Sequence, residues 1–295
     1  MHPYFWRGVL YAAIGFFALS VGDGVTKWFT QSYAVPNYAF WAYTGALPVL
    51  IMLALLRRDI SVLWRSHAPG LQALRGLFIA FEFLAVVYAL SQAPIASVYT
   101  LLFCAPVFAT LFAGPLLGEW PDAPSWAAIA TGLAGVLIVL RPGTAMLEPG
   151  LAAALAAALF FGLSALISRK IGDESALPFA FYPVASTLVV LLVVLLLTDM
   201  LRVPAWHDLP FFWITGMTSA GGMILIAQAS IYAPVPVAAA FYYSLLIWGT
   251  LIGYLVFDEV PGAATYIGAA VIIASGMSIT WHGHKKEKRK PVTGA

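Results

Sequence analysis

Long apolar runs separated by short polar connectors dominate the chain. The longest connectors, residues 57–70 and 199–208, are too short to form a soluble domain. A helix needs roughly 20 mostly apolar residues to cross about 30 Å of hydrocarbon. Ten runs approach that length, and they predict an all-α integral membrane protein with ten transmembrane helices. The runs lie near residues 8–29, 37–56, 71–91, 95–117, 124–140, 148–168, 177–198, 209–231, 235–257 and 262–281.

The end of the fourth run, LLGEWP at residues 116–121, recurs at residues 256–261 as VFDEVP. The same offset of 140 aligns residues 90–121 with residues 230–261 without a gap. An earlier motif, FFALS, recurs as FFGLS in the sixth run. The chain is therefore predicted to be a duplicated unit of five spans. Matched pairs include Ala93-Pro94 with Ala233-Pro234, Thr110-Leu111 with Thr250-Leu251, Glu119 with Glu259, and Pro121 with Pro261.

Five spans per unit is an odd number, so the second unit must enter the membrane from the opposite side. We expect a first repeat at residues 1–143, a second, inverted repeat at residues 144–281, and a basic cytoplasmic tail at residues 282–295. Inverted repeats are common in secondary transporters, where two similar halves expose a shared midplane site to either side in turn.

Composition and charge agree with this picture and add an orientation. The chain is 62% hydrophobic and 9% charged, whereas a soluble domain carries about 25% charged residues. Lys and Arg accumulate in cytoplasmic loops. Twelve of the 15 Lys and Arg lie on the side of the two termini, and Lys27, Arg141 and Arg202 lie on the other. We expect an inner (plasma) membrane protein with cytoplasmic termini, whose tail contacts anionic lipid and no nucleic acid.

Residues 74–143 resemble the EamA domain of the drug/metabolite transporter superfamily, and a second copy in register extends the resemblance over nearly the whole chain. The second span, YAFWAYTGA, departs from the family because it lacks an early arginine. The resemblance implies a central cavity between the first four helices of each repeat, and it is nearest to YddG-type exporters of aromatic amino acids. It rests on Arg75, Ala89-Leu90, Pro94, Pro106, Gly118-Glu119, Trp126, Glu259 and Gly268.

Glu82 is the one acidic residue at mid-depth, near the middle of the third span. A charge at the centre of a membrane helix costs about 2.5–3.5 kcal/mol on insertion scales. Such a carboxyl therefore faces a polar cavity, finds a donor or takes up a proton. Glu82 is expected either to line the transport path, as a contact for an ammonium group or a site of proton coupling, or to fix helix packing.

Other charged residues lie near the ends of spans. Asp23 and Lys27 are four residues apart, so they share one face of the first helix and can pair. Their position near the external end suits a gate or a snorkelling anchor. Glu119 and Glu259 form a matched pair that stops a span before a proline, with direct substrate contact as the alternative.

Polar and aromatic side chains on several spans are candidates for a substrate pocket, because such pockets are mostly apolar with a few placed polar groups. Each of them is also compatible with lipid contact, an interfacial position or ordinary packing. Together they suit a flat aromatic or other hydrophobic amine. The candidates are Phe78, Tyr99, Phe103, Asn37, Tyr38, Trp41, Ser164, Ser168, Gln228, Tyr242, Tyr243, Ser244 and Trp248.

Missing motifs limit the alternatives. The sequence has no Gly-Lys dipeptide and so no Walker A loop, and its five histidines lie in termini or loops. We expect no cofactor or metal and no enzyme activity, since an intramembrane protease needs an embedded His or two embedded Asp. The predicted function is secondary transport by alternating access, exporting small metabolites such as amino acids. A channel-like facilitator, and an exporter of other hydrophobic or cationic compounds, stay open.

Two further residue patterns concern packing. Cys104 lies inside the fourth run and is expected to be a small buried hydrophobic side chain. The small-residue spacings Gly114 with Gly118 and Gly249 with Gly253 allow helices to approach closely, within a monomer or between copies. They leave a monomer and a weak oligomer equally open.

Overall fold

The computed structural model describes residues 5–140, 148–232 and 241–289. Within these residues it contains α-helices, one short 3-10 turn at Ile60–Leu63, and no strand. The α-helices are α1 Phe5–Phe29, α2 Val35–Thr44, α3 Ala46–Leu56, α4 Pro69–Gln92, α5 Ile95–Leu102, α6 Ala105–Leu117, α7 Ala123–Leu140, α8 Pro149–Ile171, α9 Ala176–Leu197, α10 Leu209–Tyr232, α11 Ser244–Phe257 and α12 Ala263–Arg289.

The predicted all-α membrane fold is confirmed. Eight stretches of the described chain are long and apolar enough to cross a membrane, judged by length and composition, and α11 and the first part of α12 are shorter apolar helices. The predicted ninth span begins in residues 233–240, which lie outside the described residues, as does the predicted connector between the halves. Helix α12 continues to Arg289, so much of the predicted tail is helical.

Two spans that the sequence predicted as single runs are each divided into two helices. The second span breaks at Gly45, between α2 and α3. The fourth breaks at residues 103–104, between α5 and α6. Pro106 follows this second break and stands in the first turn of α6, where its missing N–H costs no helical hydrogen bond.

The two halves pack through equivalent helix pairs. Helix α1 of the first half packs along α10 of the second, and α4 of the first half packs along α8 of the second. Helices α7 and α12, the last of each half, pack on each other: Gly132 lies against Ser275, and Gly135 against Ile272. Residue numbers rise along one helix as they fall along the other. These two counterpart helices therefore run antiparallel, as inverted repeats require.

Small side chains make these contacts close. Ala154, Ala157 and Ala158 of α8 are fully buried in the largest core cluster, which also includes residues of α4 and α5. Cys104 is buried there as well, as predicted. Without a hydrophobic force between helices in lipid, close packing of this kind is what holds a membrane bundle together.

Polar contacts between connectors join the halves at both ends of the bundle. At one end, Glu174 accepts a hydrogen bond from Ser66 and pairs with His67. Burial raises the pKa of Glu174, but the bonds from Ser66 and from the Ser175 backbone, together with His67, outweigh it and lower the pKa overall. At the other end, Tyr33 donates to Asp208 at 2.6 Å, and this bond raises the pKa of Tyr33.

Candidate functional site

A carboxylate and a tyrosine meet between α1 and α5. The Tyr99 hydroxyl of α5 donates to Asp23 Oδ2 of α1 at 2.6 Å, and Ser20 Oγ lies 3.4 Å from the same hydroxyl. Tyr99 is 1% exposed. Asp23 is only partly buried although it lies inside a span. The carboxylate thus has one strong donor, the Tyr99 hydroxyl.

Glu82 of α4 is the second carboxylate of this region. It is partly exposed and close enough to Asp23 for the two to interact electrostatically. No hydrogen bond or ion pair joins Glu82 to another residue in the part of the chain that the structure describes. An unpaired carboxyl at mid-depth is stable only where water, a proton or a bound cation reaches it.

Lys27 does not neutralise either of these acids. Its ammonium Nζ lies 2.7 Å from Glu259 Oε1 and donates to the carbonyls of Leu90 at 3.2 Å and Ala93 at 2.6 Å. The local pairing of Asp23 with Lys27 that their spacing suggested is therefore not formed. Lys27 is 8% exposed, so its ammonium points into the protein and does not snorkel.

The Glu119 carboxylate pairs with Arg169 at 2.9 Å, at the opposite end of the bundle from Lys27. Like the pair of Lys27 and Glu259, it joins a residue of the first half to one of the second. The Glu119 and Arg169 side chains are 53% and 60% exposed, whereas those of Glu259 and Lys27 are 18% and 10% exposed. The two ends of the bundle thus differ in how completely they are closed.

Aromatic rings surround the centre of the bundle between the two halves. The ring of Phe103 lies edge-on to those of Tyr242 and Tyr243, each at 5.1 Å between centroids. Phe16 of α1 contacts Tyr242 at 6.0 Å. Phe103 and Tyr243 are 140 residues apart, so each contacts its own repeat counterpart. Such a contact places them close to the pseudo-twofold axis.

A second aromatic group lies between α4 and α8. Phe160 stacks with Phe78 at 6.4 Å and contacts Phe81 at 5.5 Å. Phe78 precedes Glu82 by one helical turn, so the ring and the carboxylate lie on the same face of α4. This face combines a hydrophobic surface with an unpaired charge.

The structure places the other predicted pocket residues in varied surroundings. Tyr38 is fully buried, with its hydroxyl bonded to Thr215 and Thr26. Trp41 donates to the Arg202 carbonyl at 2.8 Å. Asn37 accepts from the Arg202 backbone N–H, and Gln228 is exposed. Ser164 and Ser168 donate to carbonyls of their own helix, and Ser244 donates to the Phe241 carbonyl just before α11. Trp248 contacts Phe17, and its Nε1 is buried without a partner among the described residues.

Sequence reasoning did not single out Ser20, Phe16 or Phe160 as site residues. All three belong to the repeated FFxLS motif, in which Phe16 matches Phe160 and Ser20 matches Ser164. The repeated motif could have identified them, because it preserves an aromatic and a hydroxyl side chain in the first helix of each half.

Comparison with known families decides what kind of protein has this architecture. The profile of the EamA-like transporter family matches residues 6–141 and again residues 148–281. The chain belongs to this family. This EamA-like protein is therefore a small-metabolite transporter and not an enzyme, and it is a multi-pass membrane protein. Within its described residues, no group of three or more His, Cys, Asp or Glu could hold a metal ion.

Relatives of this EamA-like transporter carry names with different substrates and directions. It is 30% identical to a riboflavin transporter of Rhizobium johnstonii, over 96% of this chain and 94% of that protein. It is 22% identical to an S-adenosylmethionine uptake transporter of Rickettsia prowazekii, over 96% of each chain. It is 25% identical to a pseudopaline exporter of Pseudomonas aeruginosa, over 92% of this chain and 95% of that one.

A solved crystal structure shares the fold of this EamA-like transporter. The TM-score is 0.59 at 22% sequence identity, and the match covers 94% of this chain and 98% of the other. The likeness extends over nearly the whole chain, so the two proteins share the overall fold.

Proposed function

We propose that the chain is a secondary transporter that moves small metabolites bearing a flat ring and a positively charged group, by alternating access. Aromatic amino acids are the first candidates. The observation that carries the proposal is a pair of carboxylates, Asp23 and Glu82, that are close enough to interact electrostatically. Neither has a basic partner among the described residues, and aromatic rings lie on the same helices and their neighbours. Such a site attracts a cationic group and offers ring surfaces beside it.

The basic side chains of the first half that come closest in sequence are already committed elsewhere. Lys27 is bound to Glu259 and two carbonyls. The Arg75 guanidinium donates to Gln72 Oε1 and to the Phe179 carbonyl, and it stacks on the Phe179 ring at 3.5 Å. Among the described residues, neither Asp23 nor Glu82 therefore has a basic partner, and a substrate ammonium or a transported proton can supply the missing positive charge.

The ring surfaces support a flat substrate. Riboflavin and S-adenosylmethionine, which the names of two relatives give, both contain flat heteroaromatic rings. Stacked or edge-on contacts with the partly exposed rings of Phe78 and Tyr242 would contribute about 0.5–1.5 kcal/mol each beyond area burial. An aromatic amino acid combines such a ring with an ammonium group. The resemblance of the sequence to YddG-type exporters also favours this class of substrate.

Alternating access is supported by the antiparallel packing of counterpart helices. If the halves are equivalent, the contacts that close one end have counterparts at the other, so the halves can exchange conformations. The substrate gradient sets the direction, so export is expected where the substrate is more concentrated inside the cell.

Counterflow in liposomes that contain the purified protein tests the substrate. Liposomes loaded with unlabelled tryptophan or phenylalanine should accumulate labelled tryptophan above empty liposomes and saturate with concentration. Leucine should compete less well, and riboflavin and S-adenosylmethionine should be tested beside it. A folded protein that gives no counterflow with any ring-bearing compound would refute the proposal, and a flux that never saturates would favour a channel.

Glu82→Gln tests the site. This change removes the charge and keeps the shape, so counterflow should fall at least tenfold or lose its dependence on pH between about 5 and 8. Asp173→Asn removes an exposed carboxylate in a connector and is the matched control. Unchanged transport by Glu82→Gln over that pH range would assign Glu82 to packing.

A further inference from the structure

We propose that Lys27 and Glu259 form the gate at one end of the transport path, and that Arg169 and Glu119 form its counterpart at the other end. This inference rests on the proposed alternating access. Lys27 belongs to the first half and Glu259 to the second, and the distance between Nζ and Oε1 is 2.7 Å. The halves cannot separate at this end unless the ion pair breaks.

The pair is fitted into the break between α4 and α5. Lys27 donates to the carbonyls of Leu90 and Ala93, at the C-terminal end of α4, and Glu259 Oε2 accepts from the Ile95 backbone N–H, at the N-terminus of α5. A cation is favoured at a helix C-terminus and an anion at an N-terminus. Each charge thus lies at the helix end of opposite polarity, so both helix ends stabilise the closed arrangement.

Repeat symmetry supplies the second gate. Glu119 matches Glu259 at the offset of 140, and Arg169 occupies the last turn of α8, as Lys27 occupies the last turn of α1. In each pair, the basic residue lies on the first helix of one half, and the glutamate follows the fourth span of the other half. Two unrelated surface pairs would not share this arrangement.

The unequal burial of the two pairs indicates the state of the transporter. The Lys27 and Glu259 side chains are 10% and 18% exposed, whereas those of Arg169 and Glu119 are 60% and 53% exposed. Water surrounds the second pair and weakens it. The structure therefore has its Lys27 end closed, and the Arg169 end is the one that opens more easily. By the charge distribution, the closed end is external.

The gate lies one helical turn from the candidate site. Asp23 precedes Lys27 by four residues on α1, so when the pair breaks, the Asp23 and Tyr99 site becomes accessible from that end. Because Lys27 binds Glu259 instead of Asp23, the carboxylate of Asp23 stays available to a substrate while the gate is closed.

Thiol labelling tests the gate without any substrate. Ser20 bonds at the site, and Ser20→Cys in a Cys104→Ala background provides a single reporter thiol deeper than the gate. A membrane-impermeant maleimide added from the Lys27 side should react slowly with the parent. Lys27→Met and Glu259→Gln should each raise that rate at least tenfold. Lys27→Arg, which keeps the charge, should restore slow labelling.

Arg169→Met and Glu119→Gln are the matched controls, because they remove the same charges from the other pair and should not raise labelling from the Lys27 side. Labelling from the opposite face, in inverted vesicles, separates gating from unfolding. Loss of the gate raises the labelling rate from the Lys27 side and lowers the rate from the opposite side, whereas unfolding raises both rates.

A charge exchange between positions 27 and 259 is a poor rescue test, since a glutamate at 27 would face two carbonyl oxygens. The proposal is overturned if Lys27→Met and Glu259→Gln leave labelling unchanged, if they raise it equally from both faces, or if Arg169→Met raises it as much from the Lys27 side. The proposed transport function can fail on its own: normal gating of labelling with no counterflow would refute the substrate and leave the gate intact.

Discussion

The Tyr99 side chain contributes a ring and a hydroxyl to the same site. Its ring is packed in the core against Gly249, while its hydroxyl donates to Asp23 at 2.6 Å. A hydrogen bond to a charged group contributes about 1.5–3 kcal/mol. The hydroxyl therefore orients the Asp23 carboxylate and the ring fixes the hydroxyl, so the two roles can be separated by substitution.

Tyr99→Phe should weaken substrate counterflow by about tenfold or more while leaving the protein folded, because it removes the donor to Asp23 and keeps the ring. The measurement is the KM of counterflow together with a thermal melt. Tyr254→Phe removes a hydroxyl from an exposed ring and should change neither quantity. A normal KM for Tyr99→Phe would show that the bond to Asp23 is structural only.

Single residues were predictable from sequence where one position was unusual by itself. Glu82 stood out because a lone carboxylate at mid-depth is costly, and the structure leaves it unpaired among the described residues. The partner of Lys27 was not predictable, because spacing along one helix favours Asp23 whereas the actual partner, Glu259, lies 232 residues away in sequence. Long-range partners depend on packing, which a local rule does not include.

At the scale of the helices, the breaks in the second and fourth spans were not predictable. Both runs are continuously apolar, so hydropathy gives no sign of an interruption. The structure shows that each break packs on a glycine of the other half: the Gly45 break lies on Gly216 of α10, and Ala105 lies on Gly162 of α8. Backbone meets backbone at these places, which leaves no room for a side chain.

Gly216→Ala should therefore destabilise the protein. The added methyl would lie 2.7 Å from the Ala46 nitrogen and 2.8 Å from the Gly45 carbonyl carbon, and backbone atoms cannot move aside as a side chain end does. Overpacking of this kind costs about 1–3 kcal/mol, which should appear as a lower melting temperature in detergent.

Gly221→Ala on the same helix is the control, because no atom of the described residues lies within 4 Å of the position of its added methyl. Its melting temperature should equal that of the parent or exceed it slightly, since alanine favours helix. Equal destabilisation by both changes would mean that helix propensity, and not the close contact at Gly45, decides the effect.

At the scale of the molecule, the inverted architecture could be predicted because it follows from counting. An odd number of spans in a duplicated unit leaves only one way to insert the second copy, and the antiparallel contacts of α7 and α12 agree. What counting could not supply is how the two halves meet. Those contacts, including Glu174 with Ser66 and Lys27 with Glu259, depend on side chains whose partners lie in the other copy.

Glu174→Gln should reduce thermal stability at pH 7, because Glu174 joins connectors of the two halves. The folded state lowers the pKa of Glu174 below its ordinary value of 4.5. Its contribution is therefore present above that value and is lost as the pH falls through the folded pKa. Melts between pH 3 and 8 should show a difference that shrinks in acid. Asp173→Asn, an exposed neighbour, should show none, and a difference independent of pH would contradict this account.

Orientation in the membrane is testable with two exposed tryptophans. Trp64 and Trp206, which are 51% and 85% exposed, lie in connectors at opposite ends of the bundle. Trp64→Cys should react with an impermeant thiol reagent only from the cytoplasm, and Trp206→Cys only from outside. The native Cys104 is 1% exposed and gives little background. The reverse labelling pattern would invert the predicted topology.

The contact of Phe103 with Tyr243 has a consequence for the direction of flux. A side chain that touches its own repeat mate sits at the fulcrum of the exchange, so its neighbours are the same whichever compartment the path faces. Substitutions there should slow inward and outward passage alike. A preference for one direction has to arise away from the fulcrum, where the two ends differ, as the buried pair of Lys27 and Glu259 differs from the exposed pair of Arg169 and Glu119.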